Sequence, residues 1–216
     1  MSTTGWRVGR PRAEQRAEAG LSALEQLLAA AAELFTTRGY AATTVRAVAE
    51  RAGLRQAAVY QCADGKEELL ADLLESAVRP SLKVARAMLA DEFGMPAELR
   101  LWILCRSEVE LACRGPHHLG GLFLLPEVRT ERFAGFRRMR ARLRDAYGEL
   151  LSATAVGRGL DAAERAVRTD LVLGLIEGVT LTQRSDPGRP AAEFATSAAD
   201  AALRVAGVDG SSVPRQ

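Results

Sequence analysis

The chain has 216 residues, of which 48% are hydrophobic and 26% are charged, and its formal net charge is +2. This is the composition of a globular protein with a sizeable core, and it excludes a wholly disordered chain. No apolar run approaches the roughly 18 residues that a membrane span needs, and residues 1–11 contain no apolar signal segment. We therefore expect a cytoplasmic protein that has no membrane partner.

Charge is unevenly distributed along the chain. Residues 1–66 carry nine basic and six acidic side chains, whereas the remainder carries 20 basic and 21 acidic ones. A basic N-terminal third on a near-neutral body is typical of a protein that binds a polyanion at one end. Four of the basic residues lie in an arm over residues 1–19, which is either an additional contact to that polyanion or a solvated tail: Arg7, Arg10, Arg12 and Arg16.

Apolar residues recur at helical spacing throughout the chain, and strand alternation is absent. The pattern predicts helices near residues 24–38, 44–52, 55–61, from 66 onward, and near 97–113, 119–125, 127–155, 161–183 and 191–206. Pro80 is predicted to kink a helix or to mark a boundary. The stretch 171–181 is apolar on nearly all sides, which predicts burial on several faces. The fold class is therefore all-α, with a flexible tail over residues 208–216.

Two of the short predicted helices form a recognisable pair. The helix over 44–52 ends at Gly53, and a second helix begins at about Arg55. The small Ala49 stands where the two helices would cross. This arrangement predicts a helix-turn-helix, in which the N-terminal side chains of the second helix face base edges in the DNA major groove.

The same region closely resembles the TetR family of transcriptional regulators, from about residue 27 to residue 74. The matching segments keep a fixed spacing: Ala32-Glu33-Leu34-Phe35, Arg38-Gly39-Tyr40, Thr43-Thr44-Val45-Arg46, Ala49-Glu50-Arg51-Ala52-Gly53, Tyr60 and Lys66-Glu67-Glu68-Leu69-Leu70. The resemblance implies a DNA-binding domain over residues 20–66 and a helical regulatory and dimerisation domain over residues 67–207. It implies a ligand-responsive transcriptional repressor that binds double-stranded operator DNA as a homodimer.

The chain departs from the family pattern at two places. Arg55 replaces the usual serine after the turn, which removes a helix N-cap worth about 1 kcal/mol. Further along, Cys62-Ala63 replaces a His/Tyr-Phe pair whose phenylalanine packs the end of the second helix. We therefore expect a loosely held recognition helix and an operator that differs from common family sites.

Seven residues are predicted to contact DNA. The Gln56 amide suits adenine, and Arg55 suits guanine or a phosphate. Family likeness implies phosphate contacts for Tyr60 and Lys66, which could otherwise be a core residue and a solvated one. The remaining candidates can reach a phosphate at a helix N-terminus or, for the arginine, a base: Thr43, Thr44 and Arg46.

The resemblance places an effector pocket within the C-terminal helices without identifying the effector. Five aromatic residues are candidates for its lining, although each has the helical spacing of ordinary core: Trp102, Phe123, Phe133, Phe136 and Tyr147. The charge of the effector depends on whether Arg106, Glu108 or Glu177 points inward.

No catalytic, cofactor or metal site is predicted, because the sequence contains no nucleophile–base set and no glycine-rich phosphate loop, and His117-His118 lacks further ligands at metal-binding spacing. A dimer is expected to form through the helices over 161–183 and 191–206. The alternative function is that of a helical small-molecule-binding or adaptor protein with a degenerate DNA-binding domain.

Overall fold

The computed structural model describes residues 21–114, 117, 119–185, 188 and 190–208. Within these residues it contains helices and no strand, which confirms the all-α fold class. The α-helices are α1 (Ala23–Thr37), α2 (Val45–Ala52), α3 (Gln56–Cys62), α4 (Lys66–Ala90), α5 (Ala97–Arg114), α6 (Ala134–Ala153), α7 (Ala162–Ser185) and α8 (Ala191–Ala206). Short 3₁₀ segments span Leu119–Leu124, Pro126–Arg129, Glu131–Phe133 and Gly157–Gly159. The predicted arm over residues 1–19 and the tail after Val208 lie outside the described residues.

The chain divides into two compact units, Met1–Leu69 and Leu70–Gln216. In the first unit, α1 packs against α2 and α3. A capping box starts α1, since the Ser22 side chain accepts from the Glu25 amide while the Glu25 carboxylate accepts from the Ser22 amide. The core of this unit is built from fully or nearly fully buried apolar side chains: Leu27, Leu34, Phe35, Val48 and Val59.

In the second unit, α8 packs along α5 and α7, and α6 packs against α5 and α7. The buried side of α8 is mostly alanine, which lets neighbouring helices approach closely: Ala195, Ala198, Ala199, Ala202 and Ala206. Larger side chains fill the remaining core, and all of these are almost completely buried: Leu101, Leu104, Phe133, Phe136, Tyr147, Leu150 and Leu151.

Three expectations about the second unit need correction. Residues 127–133 form two 3₁₀ segments rather than the start of a long α-helix, because Pro126 begins the first segment and Thr130 adopts extended backbone between them. Pro80 marks no boundary, since it lies inside the continuous helix α4. The stretch 171–181, which was expected to be buried on several faces, is buried on one face in the single chain, at Val172, Ile176 and Val179, whereas Leu171 is 56% exposed.

Gly157 occupies a position where no side chain fits. A Cβ atom there would lie 1.8 Å from the Leu151 carbonyl oxygen, whereas a Cβ at Gly159 would meet nothing within 4 Å. The Gly157 amide also donates to the buried Thr154 hydroxyl at 2.9 Å. This hydrogen bond further restrains the backbone at Gly157.

We expect Gly157→Ala to lower the free energy of unfolding by about 1–3 kcal/mol, because the backbone must shift to relieve the overlap. Gly159→Ala is the matched control and should leave stability within about 0.5 kcal/mol of the original. Urea unfolding followed by circular dichroism measures both changes. Equal midpoints for the two variants would contradict the close approach described here.

Candidate DNA-binding surface and effector cavity

The first candidate site is the helix-turn-helix of α2 and α3. Gly53 ends α2 in the left-handed conformation, with φ 73°, which glycine adopts at no steric cost. The Leu54 amide then donates to the Ala49 carbonyl at 2.9 Å. Val48 and Val59 are completely buried, and they anchor the two helices so that the opposite side of α3 faces outward.

The outward side of α3 presents polar groups at its N-terminal end and an aromatic group about one turn later. Arg55 and Gln56 are exposed, and Tyr60 is 57% exposed, so Tyr60 is not a core residue. Gln56 and Tyr60 are four residues apart and therefore share one face of the helix. This exposed face has the size and chemistry expected of a surface that reads base edges.

The two threonines before α2 have different environments. Thr43 is only 2% exposed, and its hydroxyl donates to the Gly39 carbonyl at 2.8 Å. Because its proton is used internally and its side chain is covered, Thr43 supports the turn rather than the outer surface, which corrects its selection as a candidate contact. Thr44 is exposed and caps α2 by accepting from the Ala47 amide at 3.1 Å, so it is the member of the pair that can meet a phosphate.

Arg46 and Lys66 already have partners within the chain. The Arg46 guanidinium contacts the Glu50 carboxylate at 2.8 Å, with both side chains mostly exposed; such a pair is weak and exchanges readily for another anion. Lys66 donates from Nζ to the Tyr40 carbonyl at 2.9 Å and lies 4.2 Å from the Tyr40 ring centroid. An ammonium group has three donors, so Lys66 can hold Tyr40 and still contact a phosphate.

The departures from the family pattern have visible structural consequences. Arg55 is the N-cap of α3 and its side chain makes no capping hydrogen bond, which confirms the loss of the serine cap. Ala63 is buried at the end of α3. Among the residues of α3 itself, Val59 alone is fully buried.

The second candidate site is a cavity of about 280 Å3 within the second unit. It is enclosed by α4, α5, the 3₁₀ segment Leu119–Leu124, α6 and α7. Its lining combines an apolar wall with several polar groups: Ser76, Ala77, Val78, Pro80, Ser81, Glu108, Leu111, Ala112, His117, Leu119, Phe123, Arg140, Leu143 and Glu177.

Of the five aromatic residues proposed for this pocket, Phe123 lines the cavity. Phe133, Phe136 and Tyr147 are core residues that are about 1% exposed; Phe136 lies behind Phe123, with the ring centroids 5.1 Å apart. Trp102 is also absent from the lining, and its indole N–H donates to Asp200 at 2.9 Å. The structure therefore brings one of the five to the cavity and uses the other four for packing.

The polar groups of the cavity come from different helices. Arg140 on α6 forms an ion pair with Glu177 on α7, and its guanidinium lies 5.1 Å from the centroid of the Phe123 ring. Ser81 and Arg140 were not identified from the sequence as cavity residues. Arg140 was overlooked because it belongs to an arginine-rich run, although it is four residues from Phe136 and seven from Tyr147 and so shares their inward face.

Glu108 on α5 has the most perturbed environment in the cavity. Burial raises its pKa to about 7. The neighbouring Glu177 carboxylate adds to this increase, whereas the hydrogen bond with the Ser81 hydroxyl and the charge of Arg140 reduce it. Its Oε1 atom is buried and accepts no hydrogen bond from any described residue. Glu108 therefore presents an unused acceptor to the cavity.

The raised pKa predicts a stability effect. Because the folded chain binds the Glu108 proton more tightly than the unfolded chain, the contribution of Glu108 to stability is greatest at low pH and is lost as the pH rises from about 4.5 to 7. Glu108→Gln, which cannot ionise, should raise the free energy of unfolding at pH 8 by up to about 3 kcal/mol. At pH 4.5 the two proteins should differ little; urea unfolding at both values checks this, and a variant less stable than the original at pH 8 would contradict it.

The described residues contain no group of three or more His, Cys, Asp or Glu side chains that could hold a metal ion. In the same part of the chain, every helix is too short or too polar to cross a bilayer.

Comparisons with known proteins agree with this geometry. Residues 27–73 match the profile of bacterial regulatory proteins of the tetR family. The solved structure of AmtR from Mycobacterium smegmatis has 39% sequence identity with this chain. The comparison covers 89% of each chain and gives a TM-score of 0.78. A tetR-family regulatory protein from Rhodococcus RHA1 is 23% identical over 88% of this chain and 99% of its own, with a TM-score of 0.73.

A third solved structure with the same fold is that of AibR, described in complex with isovaleryl coenzyme A and operator DNA. It is 18% identical, covers 83% of this chain and 97% of its own, and gives a TM-score of 0.68. No curated protein matches the chain.

Proposed function

Because the chain belongs to the TetR family of bacterial regulatory proteins, we propose that it is a cytoplasmic transcriptional repressor. It binds operator DNA as a homodimer and releases the DNA when a small effector occupies the cavity of the second unit. The observation that carries this proposal is the exposed face formed by Arg55, Gln56 and Tyr60 on a complete helix-turn-helix.

In the proposed complex, α3 lies in the major groove. Gln56 reads a base edge, Arg55 reads a base or a phosphate, and Tyr60 contacts the backbone. Thr44, Arg46 and Lys66 add phosphate contacts that set the register of the protein without reading sequence.

The dimer is proposed on the outer sides of α7 and α8. Val167 and Leu171 on α7 are each more than half exposed, and Val205 on α8 is 37% exposed. Two copies related by a two-fold axis would cover these side chains and form a four-helix seam. A dimer carries two recognition helices, which can read two half-sites about 34–36 Å apart.

The effector is proposed to act through α4. Five of the cavity-lining residues lie in its 76–81 segment, and the first residue of the same helix, Lys66, holds Tyr40 in the DNA-binding unit. An effector that fits only one position of α4 would shift the population away from the half-site spacing that DNA requires. AibR, a protein of the same fold, is described in complex with isovaleryl coenzyme A and operator DNA, so this fold can accommodate both a small-molecule site and a DNA-binding surface.

The test is selection of binding sites from a random pool of double-stranded DNA, followed by gel shifts at several salt concentrations. We expect enrichment of a palindromic site bound with a Kd of about 10⁻⁸–10⁻¹¹ M. The double variant Arg55→Ala/Gln56→Ala should lose the enrichment while remaining folded. An adaptor with a degenerate DNA-binding domain would enrich no sequence, and that outcome would overturn the proposal.

A further inference from the structure

The charged groups of the cavity differ in whether they have a partner. The cation of Arg140 is already neutralised by the Glu177 carboxylate and lies against the face of Phe123. Glu108 has no basic partner of its own, and its buried Oε1 atom accepts no hydrogen bond from the described residues. When Glu108 is ionised, its carboxylate therefore presents a negative charge and one unused acceptor atom to the cavity.

The groups that face Glu108 come from each element around it. They comprise a hydroxyl, a thiol, an imidazole, a phenol and one acid–base pair: Ser81 on α4, Cys105 on α5, His117, Arg140 and Tyr147 on α6, and Glu177 on α7. The pKa values of Cys105 and Tyr147 are raised by burial, so both remain neutral near pH 7. Arg140 is the one permanent cation in this set, and its charge is balanced by Glu177.

Part of the cavity lining is apolar and includes Leu111, Phe123 and Leu143. A volume of about 280 Å3 is at the small end of ligand pockets, which typically measure about 300–1,000 Å3. The cavity thus suits a compact molecule that has one polar end and an apolar body of a single ring or a short chain.

We propose that the effector is a small amphipathic amine, whose protonated nitrogen donates to Glu108 Oε1 and whose body packs on Leu111, Phe123 and Leu143. This inference rests on the proposed function, since it names the chemical class that the regulatory cavity accepts. The ammonium supplies both the donor and the charge that Glu108 lacks, and a buried charge is stabilised only when it is paired and hydrogen-bonded.

A carboxylic acid of the same shape fits this cavity poorly. Its anion would lie near Glu108 and Glu177, and like charges at close range repel each other. To bind Arg140 it would also have to compete with Glu177, which already pairs with that guanidinium. The charge arrangement therefore selects for amines and against acids, independently of the apolar body.

The experiment compares three probes that share one body and differ in the head group: 2-phenylethylamine, 2-phenylethanol and 3-phenylpropionate. Isothermal titration calorimetry on the full chain at pH 8 measures each affinity. We expect the amine to bind at least about tenfold more tightly than the alcohol, and the acid to bind more weakly than both. Equal affinity for the amine and the alcohol, tighter binding of the acid, or no binding of the amine at millimolar concentration would overturn the inference.

Glu108→Gln tests the assigned partner. The variant keeps the shape of the side chain and removes its charge, so it should lose the preference for the amine and retain alcohol binding. If the variant does not fold, the pH dependence of the original protein takes its place. With a Glu108 pKa of about 7, amine affinity should fall about tenfold between pH 8 and pH 6, whereas alcohol affinity should stay constant; an amine affinity that does not change with pH would overturn the assignment.

These measurements distinguish a failure of the proposed regulatory function from a failure of the proposed amine preference. A chain that selects a DNA site but shows no preference for the amine retains the proposed function and loses this inference. A chain that prefers the amine but selects no DNA site loses the regulatory function and keeps the assignment of the cavity.

Discussion

Replacing Leu171 with glutamate is expected to convert the dimer into monomers that bind the operator at least about 100-fold more weakly. Leu171 is 56% exposed in the single chain and Val167, one turn before it, is 57% exposed. Gly174 continues the same outer side of α7 and is also exposed. An apolar stripe of this kind on a helix is unfavourable in water unless another surface covers it.

The loss of affinity follows from the geometry of DNA binding. A dimer engages two half-sites, and the second contact is intramolecular once the first has formed. A charge introduced at position 171 of each subunit would be buried in the interface without a partner, which strongly opposes association. Leu175, on the same helix, is a poorer choice because it is already half-buried in the single chain, so a charge there would also disturb packing within the unit.

Sedimentation equilibrium and fluorescence anisotropy with operator DNA measure the two consequences. Phe93→Glu is the control, since it places the same charge on an exposed apolar residue, 84% accessible, in the connection between α4 and α5. The control should remain dimeric and bind DNA normally. A monomeric unmodified protein at micromolar concentration, or a dimeric Leu171→Glu variant, would contradict the proposed seam.

The helix-turn-helix was predictable because its signals are local. Thr44 caps α2 and Gly53 ends it, and the predicted helix over 44–52 agrees with the observed Val45–Ala52 to within one residue. The last helix was predicted over 191–206 and is observed as Ala191–Ala206. In both cases the apolar spacing lies within the helix, and a glycine directly after it, Gly53 or Gly207, marks its end, so no distant contact is needed to define it.

The second unit was less predictable because its local structure depends on distant contacts. The Arg137 side chain donates to the Val128 carbonyl at 2.8 Å, a contact that links α6 to the 3₁₀ segment Pro126–Arg129, and helical spacing alone does not reveal it. The same limit applies to the cavity. Apolar spacing identifies inward faces, but it does not distinguish a packed residue such as Phe133 from a lining residue such as Phe123.

The apolar stretch of α7 illustrates a further ambiguity. Hydrophobicity on several faces predicts burial, yet it does not say whether the covering surface belongs to the same chain or to a second copy. Val172 and Ile176 are buried by the chain itself, whereas Leu171 is not. The apolar pattern in the sequence includes both the buried and the exposed residues of α7. The proposed interface can be identified only once the structure shows which of these residues the chain itself leaves exposed.

Gln56→Ala and Lys66→Ala are expected to weaken operator binding in two different ways. Gln56 is exposed at the start of α3, where its amide can form paired hydrogen bonds with one base. Its removal should cost about 1–3 kcal/mol, which is roughly a 5- to 150-fold loss of affinity, for the preferred base pair and little for the other three. Gln61→Ala is the matched control, because Gln61 is also exposed on α3 but points away from Gln56.

Lys66→Ala should instead weaken binding to all DNA sequences, because a phosphate contact carries no base information. The slope of log affinity against log salt should fall by about one for each subunit. The lysine also holds the Tyr40 carbonyl at 2.9 Å, so thermal unfolding must be measured alongside to separate lost contacts from lost structure. If Lys66→Ala lowers the melting temperature but leaves the salt slope unchanged, Lys66 only anchors Tyr40. If Gln56→Ala leaves the base preference of the selected site intact, the role assigned to Gln56 is wrong and base reading belongs to Arg55.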